Sequence, residues 1–132
     1  MGPNERLFDP QYSKELLRIA EGDLKSSVAL NKSKEGRLEN IFFLSEQTIE
    51  KSLKAVLCFY KLPIPFSHDL GLILGMLSTK TTPPHAKDIP ALTQHATIRR
   101  YEEGSYTPTK EECDGIVLLA ENILKWAQGI CR

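Results

Sequence analysis

The segment Ile41 to Lys61, IFFLSEQTIEKSLKAVLCFYK, constrains the fold of this chain more than any other. Wound as a helix at roughly 100° per residue, it sorts its residues onto three chemically different faces. One face is apolar: Phe42, Ile49, Leu53, Val56, Leu57 and Tyr60. A second carries Ile41, Ser45, Thr48, Ser52, Ala55 and Phe59, small at its middle, so another backbone can approach closely. The third is polar, with Gln47, Glu50, Lys51 and Lys54. A helix that wants neighbours on two sides belongs to a bundle or a dimer.

Length fits that picture. A chain of 132 residues is the size of one domain, and such a domain buries about two thirds of its unfolded surface. One domain over residues 1–132 is therefore expected. Formal net charge is zero, so bulk electrostatics draw the protein neither to nucleic acid nor to an anionic membrane, and any such binding must come from a local patch. Cys58, Cys113 and Cys131 are odd in number and form no CxxC pair, which speaks against a disulfide scaffold or a zinc cage. Reduced thiols, no apolar leader in MGPNERLFD and no long uncharged run lead to the expectation of a cytoplasmic protein without a membrane span.

The remaining periodicity is also helical. Leu16, Leu17, Ala20, Leu24 and Val28 predict a first helix over about 13 to 31, with Ser13 as N-cap and Lys14, Glu15, Glu21, Asp23 and Lys25 on its outer face. The long second helix is expected over Arg37 to Tyr60, and the prolines of KLPIPF end it. Ser67 is expected to cap a short third helix in HDLGLILGML, with Asp69 favouring its positive end. Weaker spacing at Ile89, Leu92 and His95 or Ala96 suggests an irregular helical piece over about 86 to 98. Thr109 begins the last helix, which presents Ile116, Leu119, Ala120, Ile123, Leu124, Trp126 and Ala127 and runs to about Gln128. No stretch alternates with period two, so the expected fold is all-α, an antiparallel up-and-down bundle of four to five helices.

Few constellations carry chemistry. Ser67, His68 and Asp69 are the residue types of a hydrolase triad, but neighbours on one turn cannot line up as nucleophile, base and orienter. His68 at a helix start can instead donate a proton or meet a phosphate. His68, His85 and His95 lack metal-ligand spacing, and no glycine-rich phosphate loop occurs. No metal and no cofactor is therefore expected. Arg99, Arg100 and Tyr101 form a basic and aromatic cluster suited to phosphate and base, although Glu102 and Glu103 follow at once and local pairing is an equally available role. Glu50, Lys51 and Lys54 can likewise be a solvated helix face with an i to i+4 pair.

In combination these residues resemble the HEPN domain family, the higher eukaryotes and prokaryotes nucleotide-binding domain. The resemblance lies in Phe43, Gln47, Glu50, Lys51, Leu53, Lys54, Ala55 and Leu57, then Pro65, Ser67, His68, Asp69 and Leu70, then Arg100 and Tyr101, and it closes on Ala120, Ile123, Trp126 and Ala127. It implies an all-α bundle, commonly a homodimer, related to the helical domain of kanamycin nucleotidyltransferase. Family members often act beside a small nucleotidyltransferase, in toxin and antitoxin pairs, and many are metal-independent ribonucleases. The ribonucleases use an Arg, a short polar spacer and a His, and no Arg of this chain precedes a His in that way. Two smaller departures are Glu46 before Gln47, where a Gln pair is usual, and Glu102 where Pro usually follows the Tyr.

The resemblance therefore implies a non-catalytic module that binds a nucleotide or RNA-like ligand through Gln47, Glu50, Lys51, Lys54, His68, Asp69, Arg100 and Tyr101, or partners a nucleotidyltransferase as a homodimer. Two alternatives stand beside it. One is a ribonuclease with an atypical site built on His68 and Arg100. The other is a structural dimerisation or adaptor bundle whose polar cluster fixes helix register.

Overall fold

The computed structural model describes residues 2–92 and 107–132. Its α-helices are α1 (Tyr12–Lys32), α2 (Leu38–Phe59), α3 (Leu70–Leu77) and α4 (Lys110–Ile130), with a 3-10 turn at Ala86–Asp88. The protein is an all-α helical bundle, and α2 is its central member, packed on α1, α3 and α4. Cross-contacts give the directions. Asp23 meets Lys51 while Ser27 meets Ser45, so α1 and α2 are antiparallel. Cys113 meets Leu38 while Cys131 meets Ala55, so α4 runs parallel to α2.

The three faces of α2 go to three different places. Ile49, Leu53, Val56 and Leu57 are fully buried and form the core with Leu16, Leu17 and Ala20 of α1 and Ile116, Ala120, Ile123 and Leu124 of α4. The small face is pressed on α1. Thr48 donates through Oγ1 to the carbonyl of Ala20 at 3.3 Å as well as to that of Leu44, one turn back. Ser27 donates to the carbonyl of Ile41 at 3.1 Å, which makes Ser45 the donor in the 2.6 Å contact between the two hydroxyls. Ser45, Thr48, Ser52 and Ala55 have no exposed surface, so this stripe is used within the chain and is not a surface on which a second copy could dock.

Two N-caps differ from expectation. Ser13 does not cap α1; it is buried, and Gln11 holds the cap position. Asp9 organises the entry instead: its side chain accepts from the amide of Gln11 and its carbonyl from that of Tyr12. The turn starts the helix early and rotates Ser13 inward. Ser67 likewise does not cap α3; Asp69 does, accepting from the amides of Gly71 and Leu72 at 2.9 and 3.2 Å, while Ser67 accepts from the amide of Asp69. At α4 the expected cap holds, with Thr109 and Glu112 forming a capping box. That helix continues to Ile130, slightly beyond Gln128. Of the irregular piece, the described part is the turn at Ala86–Asp88 and residues up to Leu92; positions 93–98 lie outside the described residues.

The absence of alternation did not anticipate one element. Glu5–Arg6 (β1) and Ile64–Pro65 (β2) pair antiparallel, extended by a 2.7 Å bond from the amide of Phe66 to the carbonyl of Asn4. Strands this short carry no periodicity to detect. The chain reaches β2 through Lys61, which sits at φ 61°. The amides of Lys61 and Leu62 bond back to the carbonyls of Cys58 and Leu57, a Schellman closure that favours glycine at the left-handed position. Lys61→Gly is expected to raise stability by ~1 kcal/mol, read as a higher denaturant midpoint with unchanged slope; an unchanged or lower midpoint would contradict it.

Candidate functional site

The polar face of α2 is only partly solvated. Glu50 is 5% exposed, and its carboxylate accepts from Lys54 Nζ at 3.1 Å and lies 2.9 and 3.1 Å from His68 Nδ1. A carboxylate only accepts, so Nδ1 carries the proton in this contact. That leaves Nε2 as the nitrogen able to meet a ligand, on a ring that is 59% exposed. Burial explains the arrangement: an isolated carboxylate at this depth would be strongly unfavourable, and two donors from different elements compensate it. One turn earlier, Lys51 donates to Asp23 of α1 at 2.8 Å and to Gln47 Oε1 at 3.1 Å. Asp23, which periodicity places on the outer face of α1, thus faces α2.

Lys51, Lys54, Glu50 and His68 line one cleft of about 360 Å3, together with Phe8, Tyr12, Leu16, Ile64, Pro65, Phe66 and Ser67. The short sheet builds its second wall. Pairing of β1 with β2 lays the N-terminal segment beside Phe66, and Phe8 then stacks on Tyr12 with ring centres 4.9 Å apart. The Arg6 guanidinium lies 4.8 Å from the Phe8 centroid, a cation–π contact. Phe66 is 62% exposed, an unusual position for a large ring beside two lysines. The cleft is therefore lined by both ammonium groups and aromatic rings.

Of the residues expected to bind ligand, Glu50, Lys51, Lys54 and His68 converge on this cleft. Gln47 joins indirectly, through Lys51. Asp69 adjoins His68, but its carboxylate is committed to the amides of α3. Arg100 and Tyr101 lie outside the described residues. Sequence reasoning missed Phe8, Tyr12, Phe66 and Asp23. The i to i+4 spacing of Phe8 and Tyr12 across the start of α1 is the one local signal that could have revealed any of them.

A second, larger groove of about 660 Å3 runs between Phe42, Leu92, Ile116 and Leu119, with His85, Asp88, Glu112 and Asn122 at its polar positions. Its described lining has no lysine or arginine. The three cysteines carry no chemistry either. Each is buried and donates to a backbone carbonyl, Cys58 to Asp9, Cys113 to Leu38 and Cys131 to Ala55. Burial pushes all three thiols up, Cys131 to about 11 with help from nearby Cys58, which keeps them protonated and unreactive. Among the described residues no group of His, Cys, Asp and Glu could hold a metal ion. None of the described helices is long and apolar enough to cross a membrane.

A central helix that sends one face to the core, one to a neighbouring helix and one to a cleft of lysines, histidine and aromatic rings defines a helical module with a polar recess. The HEPN domain family model matches residues 13–130, almost the whole bundle, and the chain belongs to that family. Neither a curated protein nor a solved structure matches it at a significant level.

Proposed function

We propose that this HEPN domain binds the phosphate and base of a nucleotide or RNA-like ligand in the cleft of Lys51, Lys54, His68 and Phe66, without cleaving it. The observation that carries this reading is the convergence of two lysines, a histidine and an exposed aromatic ring from separate elements on one recess. Ammonium groups and His68 Nε2 would meet phosphate oxygens, and Phe66 would stack on the base. The missing Arg-to-His spacing supports binding over hydrolysis. The reading includes the cytoplasmic homodimer and nucleotidyltransferase partner that the family resemblance implies, to be checked by light scattering and by asking whether any nucleotidyltransferase encoded beside its gene co-purifies with it.

The test is a thermal-shift titration with AMP and a short single-stranded RNA. Ligand at about a hundredfold excess over Kd would stabilise the fold by ~2.7 kcal/mol. Phe66→Ala is expected to leave the unliganded melting temperature unchanged and to weaken binding roughly tenfold, since stacking on one base is worth ~1–3 kcal/mol. No shift at about millimolar ligand would count against the reading.

A structural role has its own support, since Lys51 and Lys54 are each already paired with a carboxylate. If Lys54→Met leaves ligand binding intact, the network serves helix register alone.

A further inference from the structure

Building on the nucleotide reading, we propose that Glu50 and Asp23 set the charge of the ligand, so that the cleft takes a unit with a single phosphate and discriminates against a polyphosphate chain. Each cation of the cleft is matched by a carboxylate. Lys54 Nζ lies 3.1 Å from Glu50 and Lys51 Nζ lies 2.8 Å from Asp23, so the two pairs cancel in formal charge. His68 is the one further group of the described lining that can add a positive charge. Arg6 lies over the ring of Phe8 and is not part of that lining.

The position of the carboxylates gives them this effect. Glu50 and Lys54 side chains are 7% and 14% exposed, where charges act through a lower effective dielectric and salt screens them weakly. The Glu50 carboxylate, held from two sides, cannot turn out to solvent when an anion arrives. One phosphate can share Lys51 and Lys54 with their carboxylates and gain Nε2 of His68. Each further phosphate of a chain would approach Glu50 and Asp23 with no new cation of the described lining to offset the repulsion. A cleft of about 360 Å3 falls at the small end of ligand sites, consistent with a compact ligand.

Calorimetric titration of wild type, Glu50→Gln and Asp23→Asn with the dinucleotide ApA, AMP and ATP, without divalent metal and at constant ionic strength, tests this. Wild type is expected to bind ApA or AMP at least as tightly as ATP, and the preference between the first two tells a phosphodiester from a monoester ligand. Each variant is expected to tighten ATP binding roughly tenfold while changing ApA by less than about threefold. A wild type that prefers ATP tenfold, or variants that leave the ratio of ATP to ApA affinity unchanged, would overturn the inference and leave the nucleotide reading standing. No binding of any of the three compounds to any of the proteins would overturn that reading itself, and this inference with it. Should Glu50→Gln fail to fold, Asp23→Asn, whose side chain is 23% exposed, decides the question alone.

Discussion

Glu50→Ala is expected to destabilise the fold by ~3 kcal/mol or more, lowering the melting temperature by roughly 10 °C for a chain of this size. The substitution removes the acceptor for two donors. His68 can turn to water, because its ring is more than half exposed, so little of the loss comes from that side. Lys54 cannot do so as easily: its side chain is 14% exposed, and without Glu50 its ammonium is left with a desolvation penalty that no partner offsets. The double variant Glu50→Ala with Lys54→Met should therefore recover most of the loss, because it removes both charges and retains an apolar stem of similar length. Urea unfolding of the two singles and the double gives the coupling directly. A Glu50→Ala effect below about 0.5 kcal/mol would mean that both groups are effectively solvated, and the electrostatic argument for ligand charge would fall with it.

How far the molecule could be read from its residues varied with the range of the forces involved. The division of α2 into three faces needed only the helical period and the chemical class of each side chain, and Ile49 and Thr48 went to the expected surroundings, whereas Glu50 is buried more deeply than a solvated face would leave it. Caps were harder, because two competent residues stood close together at both misjudged ends. At α3, Leu70 is 2% exposed, and a start at Asp69 turns it to the core while leaving His68 outside the helix, free to reach back to Glu50. At α1, the turn through Asp9 and Pro10 pre-empted Ser13. The aromatic half of the cleft was least legible. Phe8 and Phe66 are distant in sequence and are brought to one recess by paired strands of two residues each, too short to leave a pattern. Asp23 was misplaced for a related reason: periodicity says which residues lie on a helix's polar side, but not that a neighbouring helix supplies a lysine there.

Ser45→Leu is expected to destabilise the protein by ~3 kcal/mol, whereas Ser45→Ala should cost about 1 kcal/mol. Ser45 has no exposed surface, and its hydroxyl lies 2.6 Å from that of Ser27. Its small size is what lets α1 come close enough for Thr48 to reach the carbonyl of Ala20. A leucine must either push the helices apart, weakening that bond and the apolar contacts beside it, or adopt a strained rotamer. Alanine removes only a hydroxyl; Ser27 keeps its bond to Ile41, so no buried donor is stranded. The large difference between the two substitutions is what a stripe packed within one chain requires. If the same residues instead joined two copies of the chain, Ser45→Leu would change the concentration dependence of the unfolding midpoint and leave the stability of the separated chain near the wild-type value. Denaturation at two protein concentrations separates these outcomes, and a midpoint that falls equally at both is the expected one.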